Sequence, residues 1–354
     1  MIPSVTLEDG YRIPRIIVGG WQLSSGHQSE PPTVDTVLAN LTALADAGLT
    51  TFDCADIYTG VETLFGRFRS HYRTRRGEDA PPIHVHTKCV PDRGSLATLT
   101  RAEITRTIDR SLRRLAMERL DLVQFAWWDY DHPGWLDVAG WLVDLQRAGK
   151  IRHLGATNFD VPRMSAMWEA GVRFVVHQVQ YSILDRRPEH GMAAWCRAHG
   201  IHLLCYGTLA GGFLTGRYRG RPDPAPPLAN RSLTKYRLII EEFGGWDAFQ
   251  RVLEALAEIA DRHGVSPANI ALRWVLDRPA VGAAILGVSH RARVEETLRA
   301  LSLELDDEDR QRLDAAGAGA PGPRGDCFGL ERDPASPHAR IMRYNLNRDD
   351  PDEA

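Results

Sequence analysis

Short apolar runs alternate with longer stretches of helical period along most of the chain. The first run, RIIVGG, precedes PTVDTVLANLTALADAG, whose apolar residues recur near helical spacing and stop at Gly48. TTFDCA then precedes VETLFGRFRS, IHVHTK precedes RAEITRTIDRSLRRLA, and LDLVQFA precedes GWLDVAGWLVDLQRAG. IRHLGAT, VRFVVHQ and IHLLCYG follow, with short helices between them. Two helices, FQRVLEALAEIADRH and PANIALRWVLD, lead to the eighth run, VGAAILGVS, and RARVEETLRAL closes the series. Eight strand-then-helix units predict an α/β architecture, a (β/α)8 barrel (TIM barrel), rather than two domains. The barrel is expected to span residues 1–316. A Gly-, Pro- and Arg-rich insert at about 210–245, after the seventh strand, is too long for a mere connection and reads as a functional loop over the site. Residues 317–354 read as a C-terminal extension packed on or near the barrel. GAGAPGPRGDC cannot be helical, but Phe328, Leu330, Ile341, Met342 and Tyr344 give the extension apolar anchors.

Bulk properties narrow the partners. A formal charge of −3 gives no reason to expect nucleic acid or an anionic membrane. No apolar run is long enough to span a bilayer, and the N-terminus lacks the pattern of a signal peptide. Five scattered cysteines without CxxC spacing read as reduced thiols, so the expected location is cytoplasmic. No His/Cys/Asp/Glu cluster has metal-ligand spacing, so no metal is expected. Lys88, Lys150 and Lys235 are the only lysines among 43 basic residues, which invites a reason for each. Lys88 closes a strand, whereas Lys150 lies in a polar turn.

Strand ends of such a barrel converge on one face, where catalytic groups collect. Asp53, Lys88, Asn158, Gln178 and Tyr206 close or directly follow apolar runs, and Tyr58 lies a few residues beyond one. A ketone accepting hydride needs a proton at its oxygen. A phenol is a reluctant acid, and a nearby ammonium is expected to lower its pKa, with an aspartate holding that ammonium in place. Asp53, Tyr58 and Lys88 have these chemistries. Each also has a plain structural reading, as a turn cap, a packed ring and a surface charge.

At these residues the chain resembles the aldo-keto reductase superfamily, over roughly residues 5–315. The resemblance rests on WQLS (21–24), HQVQYSILDRRPEHGM (177–192), YGTLAGGFL (206–214) and the tail segments GPRGDCFGLERD and RIMRYNLN. It implies an NADPH/NADP+-dependent oxidoreductase acting on a small carbonyl or alcohol. Tyr58 would be the proton donor, with Lys88 and Asp53 tuning it. Asn158 and Gln178 would hold the nicotinamide carboxamide beside Thr157, and Tyr206 would stack on the ring. Ser289, Arg293 and Glu296 would form the adenosine phosphate site, Arg293 meeting a 2′-phosphate. Trp21, Trp127 and Trp128, with Tyr130, suit the wall of a substrate pocket, and buried packing explains Trp127 or Trp128 equally well.

Two positions depart from the family pattern. His177 replaces the asparagine of an Asn-Gln pair and reads as a hydrogen-bonded substitute. Ala126 stands where similar chains have histidine, QFAWWDY for QFHWWDY, so a donor to the substrate carbonyl is missing. Ala126 fits an introduced substitution, an enzyme whose substrate supplies its own polar group, or a cofactor binder with little turnover. His84 and His86 share the Lys88 side of their strand but lie deeper, while His27 and His132 stand in loops within reach of a substrate. A dehydratase or isomerase on the same scaffold, and a nucleotide-binding accessory protein, are the alternatives.

Overall fold

The computed structural model describes residues 2–25, 32–77, 79–287, 293–320 and 322–347. Eight parallel strands close a barrel: β3 (Ile16–Gly19), β4 (Thr51–Asp53), β5 (His84–Cys89), β6 (Leu120–Phe125), β7 (Ile151–Thr157), β8 (Val176–Gln180), β9 (His202–Tyr206) and β10 (Val281–Leu286). β10 pairs with β3, which completes the expected (β/α)8 ring. Ahead of it lies an antiparallel hairpin, β1 (Ser4–Thr6) and β2 (Arg12–Pro14), which the hydrophobic pattern did not predict.

Alternation along each strand divides the core in two. Outward residues such as Phe52, Val85, Val123 and Leu154 meet the helices α1 (Val34–Asp46), α2 (Val61–Arg76), α3 (Arg101–Leu115) and α4 (Trp135–Arg147) and those that follow. Helix α3 shows why local sequence suffices there. Thr100 and Glu103 form a capping box, and Ile104, Ile108 and Leu115 fall on the buried face. Inward residues Ile17, Leu122, Val176, Leu204, Ala283 and Ile285 fill the lower barrel, where Leu7, Tyr11 and Ile13 of the hairpin segment join them.

The polar residues of the site occupy the upper interior. Lys88 and Gln124 sit side by side in the β5–β6 register. Gly155 of β7 makes room for this layer. A methyl group there would come within 2.7 Å of the Val176 side chain and 3.1 Å of Gln124 Cγ.

After β9 the insert is partly helical rather than a plain loop. Helix α7 (Arg231–Phe243) lies within it, capped by Asn230, whose Oδ1 accepts from Leu233 N at 2.9 Å. The next helix, α8 (Gly245–His263), starts at Gly245 rather than at the expected Phe249. Helices α9 (Pro267–Leu276) and α10 (Val294–Ser302) flank β10, and α11 (Asp307–Ala316), which was not expected, follows. Residues 317–320 and 322–327 are non-helical, and the segment from Cys327 to Asn347 runs across the C-terminal ends of the strands. Among the described residues no helix is long and apolar enough to cross a membrane.

Candidate active site

Asp53, the last residue of β4, is the centre of the site and only 3% exposed. Its Oδ2 accepts from Lys88 Nζ at 2.6 Å. Its Oδ1 accepts from Gln124 Nε2 at 2.9 Å and from Gln178 Nε2 at 2.7 Å. Lys88, 5% exposed, also donates to the Cys54 carbonyl at 2.7 Å. Burial pulls the lysine toward neutrality, but the Asp53 carboxylate and the Tyr58 phenol outweigh it and raise its pKa. The ammonium is therefore held charged.

Tyr58, in the turn before α2, places its ring centroid 5.1 Å from Lys88 Nζ. Trp21 meets the same ring edge-on at 5.0 Å. The phenol does not have the expected lowered pKa. Burial raises it, and the opposing pull of Lys88 is offset in part by the push of Asp53. The ammonium's charge is shared with the carboxylate it neutralises, which is why desolvation wins. A half-buried, protonated phenol beside a fixed cation is an acid reserved for a strongly basic acceptor, such as an alkoxide forming from a carbonyl.

Across the barrel, Asn158 follows β7 in a left-handed conformation, φ 62°. Its N–H donates to the Gln178 carbonyl at 3.0 Å. Its Oδ1 accepts from the Tyr206 hydroxyl at 3.0 Å, which leaves Nδ2 to donate. Gln178 is the complement. Both Nε2 hydrogens are engaged, on Asp53 and on Gln124 Oε1 at 2.9 Å, which leaves its Oε1 to accept. One donor and one acceptor match a primary carboxamide. Thr157 donates from Oγ1 to the Gln178 carbonyl at 3.1 Å, so it braces the pair. His177 does act as a hydrogen-bonded substitute. Its Nε2 accepts from Phe159 N at 3.1 Å, and burial lowers its pKa to about 3, which keeps it neutral.

Ala126 lies just beyond β6, with its N–H on the Cys89 carbonyl at 3.0 Å and its methyl group buried. His86 cannot stand in for the missing histidine. It is fully buried below the site, its Nε2 3.2 Å from the Tyr11 hydroxyl. His132 pairs with Asp129 at 3.7 Å, away from the Asp53 network. His27 lies outside the described residues.

The expected tryptophan wall needs correction. Trp127 is turned into the core against Phe125, 2% exposed, with its indole N–H on the carbonyls of Asp129 and His132. Trp128 meets Tyr344 edge-on at 5.2 Å and Phe328 at 6.2 Å, so it anchors the C-terminal segment. At the far end of the site, Ser289 lies outside the described residues. Arg293 is exposed at the N-cap of α10, and Glu296 offers its carbonyl to Asn269 Nδ2 at 2.8 Å and pairs with Arg299.

The sequence expectation omits Gln124, Lys235, Glu331 and Arg332. Gln124 is legible as an inward residue two positions before Ala126. Lys235 is the one lysine for which the pattern offered no reason. Its ammonium lies 5.1 Å from the Tyr206 ring centroid and pairs with Glu331 at 3.4 Å. Glu331, 1% exposed, is also held by Arg187 at 3.1 Å, which in turn grips Asp185 at 2.7 Å. The chain folds two loops and its own tail into this buried charge network.

The sequence of the Aldo/keto reductase family profile matches residues 15–318. The chain belongs to that family. The aldo-keto reductase dtxS3 of Metarhizium robertsii is 27% identical over 86% of this chain and 88% of its own length. The flagellar radial spoke protein 5 of Chlamydomonas reinhardtii is 27% identical, and the match spans 59% of that longer protein. In structure, an aldo/keto reductase of Klebsiella pneumoniae, solved with NADP and acetate, superposes with a TM-score of 0.67 at 24% identity over 92% of this chain and 98% of the other. That structure and this barrel share the (β/α)8 fold.

Proposed function

We propose that this family member is an NADPH-dependent oxidoreductase that reduces an aldehyde or ketone, or carries out the reverse alcohol oxidation. The observation that carries the reading is the Asp53–Lys88 pair, whose ammonium lies 5.1 Å from the Tyr58 ring centroid. A nicotinamide nucleotide fits the residues around it. Asn158 Nδ2 and Gln178 Oε1 would hold the carboxamide, Tyr206 would lie along the ring, and Arg293 and Ser289 would meet the adenosine phosphate. The neighbour from Klebsiella, solved in complex with NADP, supports this choice of nucleotide.

When bound, the nucleotide would supply the hydride that the carbonyl carbon needs. As negative charge gathers on the carbonyl oxygen, Tyr58 gives it the phenolic proton. Lys88 then faces a phenolate, and its buried, fixed charge stabilises that anion. Asp53 keeps the ammonium charged and aimed. In the reverse direction the same phenolate takes the alcohol proton. Ala126 contributes no donor, so the carbonyl is polarised by Tyr58 with less help than a neighbouring imidazole would give.

The test is a fluorescence titration of the chain with NADPH, followed by single-turnover oxidation of the bound nucleotide by a panel of aromatic and aliphatic carbonyls. Binding with at least one carbonyl reduced supports the reading. Binding with no oxidation by any carbonyl overturns it in favour of an accessory protein or non-redox chemistry.

A further inference from the structure

Arg332 belongs to the C-terminal segment, yet its guanidinium reaches two strand-end loops of the site. Nη2 donates to the Asn158 carbonyl at 2.7 Å and to the Trp127 carbonyl at 3.0 Å. The first of these is the residue that offers its amide to a carboxamide. The second directly follows Ala126. The guanidinium is fixed from its sides as well, 4.1 Å from the Tyr130 ring centroid and 5.2 Å from that of Phe328. Tyr130 in turn accepts from Asp160 N at 3.1 Å, just past Asn158. Planar charge with several fixed donors suits arginine and not lysine to this bridging place.

The reason for a bridge lies in the Asn158 backbone. A left-handed conformation at a non-glycine residue costs free energy and persists where its surroundings fix it. Here the N–H is tied to Gln178, the side chain to Tyr206 and the carbonyl to Arg332. Without the third tie the peptide after Asn158 is held only through the Phe159 N–H on His177 Nε2, and the amide that must meet the nicotinamide loses part of its aim.

We propose that Arg332 is a positioning residue for the nicotinamide end of the cofactor site, so that the C-terminal segment completes a site otherwise built on the barrel. The proposal rests on the reductase reading above. It predicts a division within one ligand. The nicotinamide end should depend on Arg332, whereas the adenosine end, on the opposite side near α10, should not.

The experiment compares NADPH with adenosine 2′,5′-bisphosphate, which lacks the nicotinamide, by fluorescence and calorimetric titration of the full chain. In Arg332→Met the NADPH dissociation constant should rise about 10-fold or more, the scale of a lost charge-assisted contact, while that of the bisphosphate stays within about 2-fold. Added methylguanidinium should recover part of the NADPH affinity. Arg332→Lys, which keeps a charge and fills the place, is read in the same way if the methionine variant fails to fold. Exposed Arg340, on the same segment, serves as control: Arg340→Met should change neither constant. Equal weakening of both ligands, or of neither, overturns the proposal. A wild-type chain that binds neither nucleotide overturns the reductase reading itself, which separates the two failures.

Discussion

The hairpin beneath the barrel and the segment above it close opposite ends by different chemistry. Below, Leu7, Tyr11 and Ile13 join the inward aliphatic residues of the strands, and the chief polar contact among them is the Tyr11–His86 hydrogen bond. Above, Glu331 and Arg332 bring opposite charges into contact with Lys235, Arg187 and backbone carbonyls, and Asn347 reaches Val90 O at 2.9 Å and Asp92 through its N–H at 3.0 Å. An apolar seal gains from excluding water and needs no particular geometry. A charged, hydrogen-bonded cover is tolerated only where each group finds its partner, so it fixes positions. The floor therefore supplies stability, and the mouth supplies aim.

Removing the acid at the mouth should give the largest effect. Tyr58→Phe deletes one hydroxyl and little packing, so turnover should fall about 100- to 10,000-fold while NADPH affinity stays near wild type. Steady-state rates with the best carbonyl of the panel check this, and a variant that keeps most of its turnover removes Tyr58 as the acid. At the floor, Ile13→Ala empties a fully buried site and should cost about 2–5 kcal/mol in denaturant unfolding, with the nucleotide dissociation constant unchanged. If instead nucleotide binding weakens in step with stability, the two ends are not separable. Returning a donor at Ala126 comes next. Ala126→His should raise carbonyl reduction about 100-fold with little change in NADPH affinity. A fall in rate would mean that the natural substrate uses the space the alanine leaves.

Acid should loosen both ends, because each leans on a neutral histidine. Burial, joined by the charge of Arg332, lowers His177 to about 3, and burial lowers His86 to about 4. A histidine whose folded pKa is depressed takes up its proton more readily in the unfolded chain. Its stabilising contribution is whole above the unfolded value near 6.5 and is lost as pH falls from there toward the folded value. For His177 the loss should reach about 2 kcal/mol by pH 5. His177→Asn should flatten that part of the pH–stability curve in thermal melts between pH 7 and 5; an unchanged slope removes the histidine as the cause. The smallest effect is at the outer end of the cofactor site. Arg293→Ala should weaken NADPH by about 1–3 kcal/mol and leave NADH nearly untouched, as paired titrations would show.

Much of the barrel was legible because its signals are local. Each strand and helix declares itself through alternation, helical spacing and caps, and alternation also points Asp53, Lys88 and Gln178 to one interior. Helix α7 escaped notice because its Asn230 cap and its Tyr236, Ile239, Ile240 and Phe243 stripe are set among glycines and prolines. The sequence leaves Trp127 open between pocket wall and core packing, because a residue just past a strand end has no fixed period to say which way it turns.

The sequence by itself determined the eightfold succession of elements and the residue types able to move a proton beside a hydride. Those depend on neighbours within a few positions or on side-chain chemistry alone. The tertiary structure decided the rest. It set the Tyr58 pKa above normal rather than below, because desolvation depends on everything packed around the ring. It also brought Arg332 to Asn158 across 174 positions of chain, a contact that no local pattern encodes.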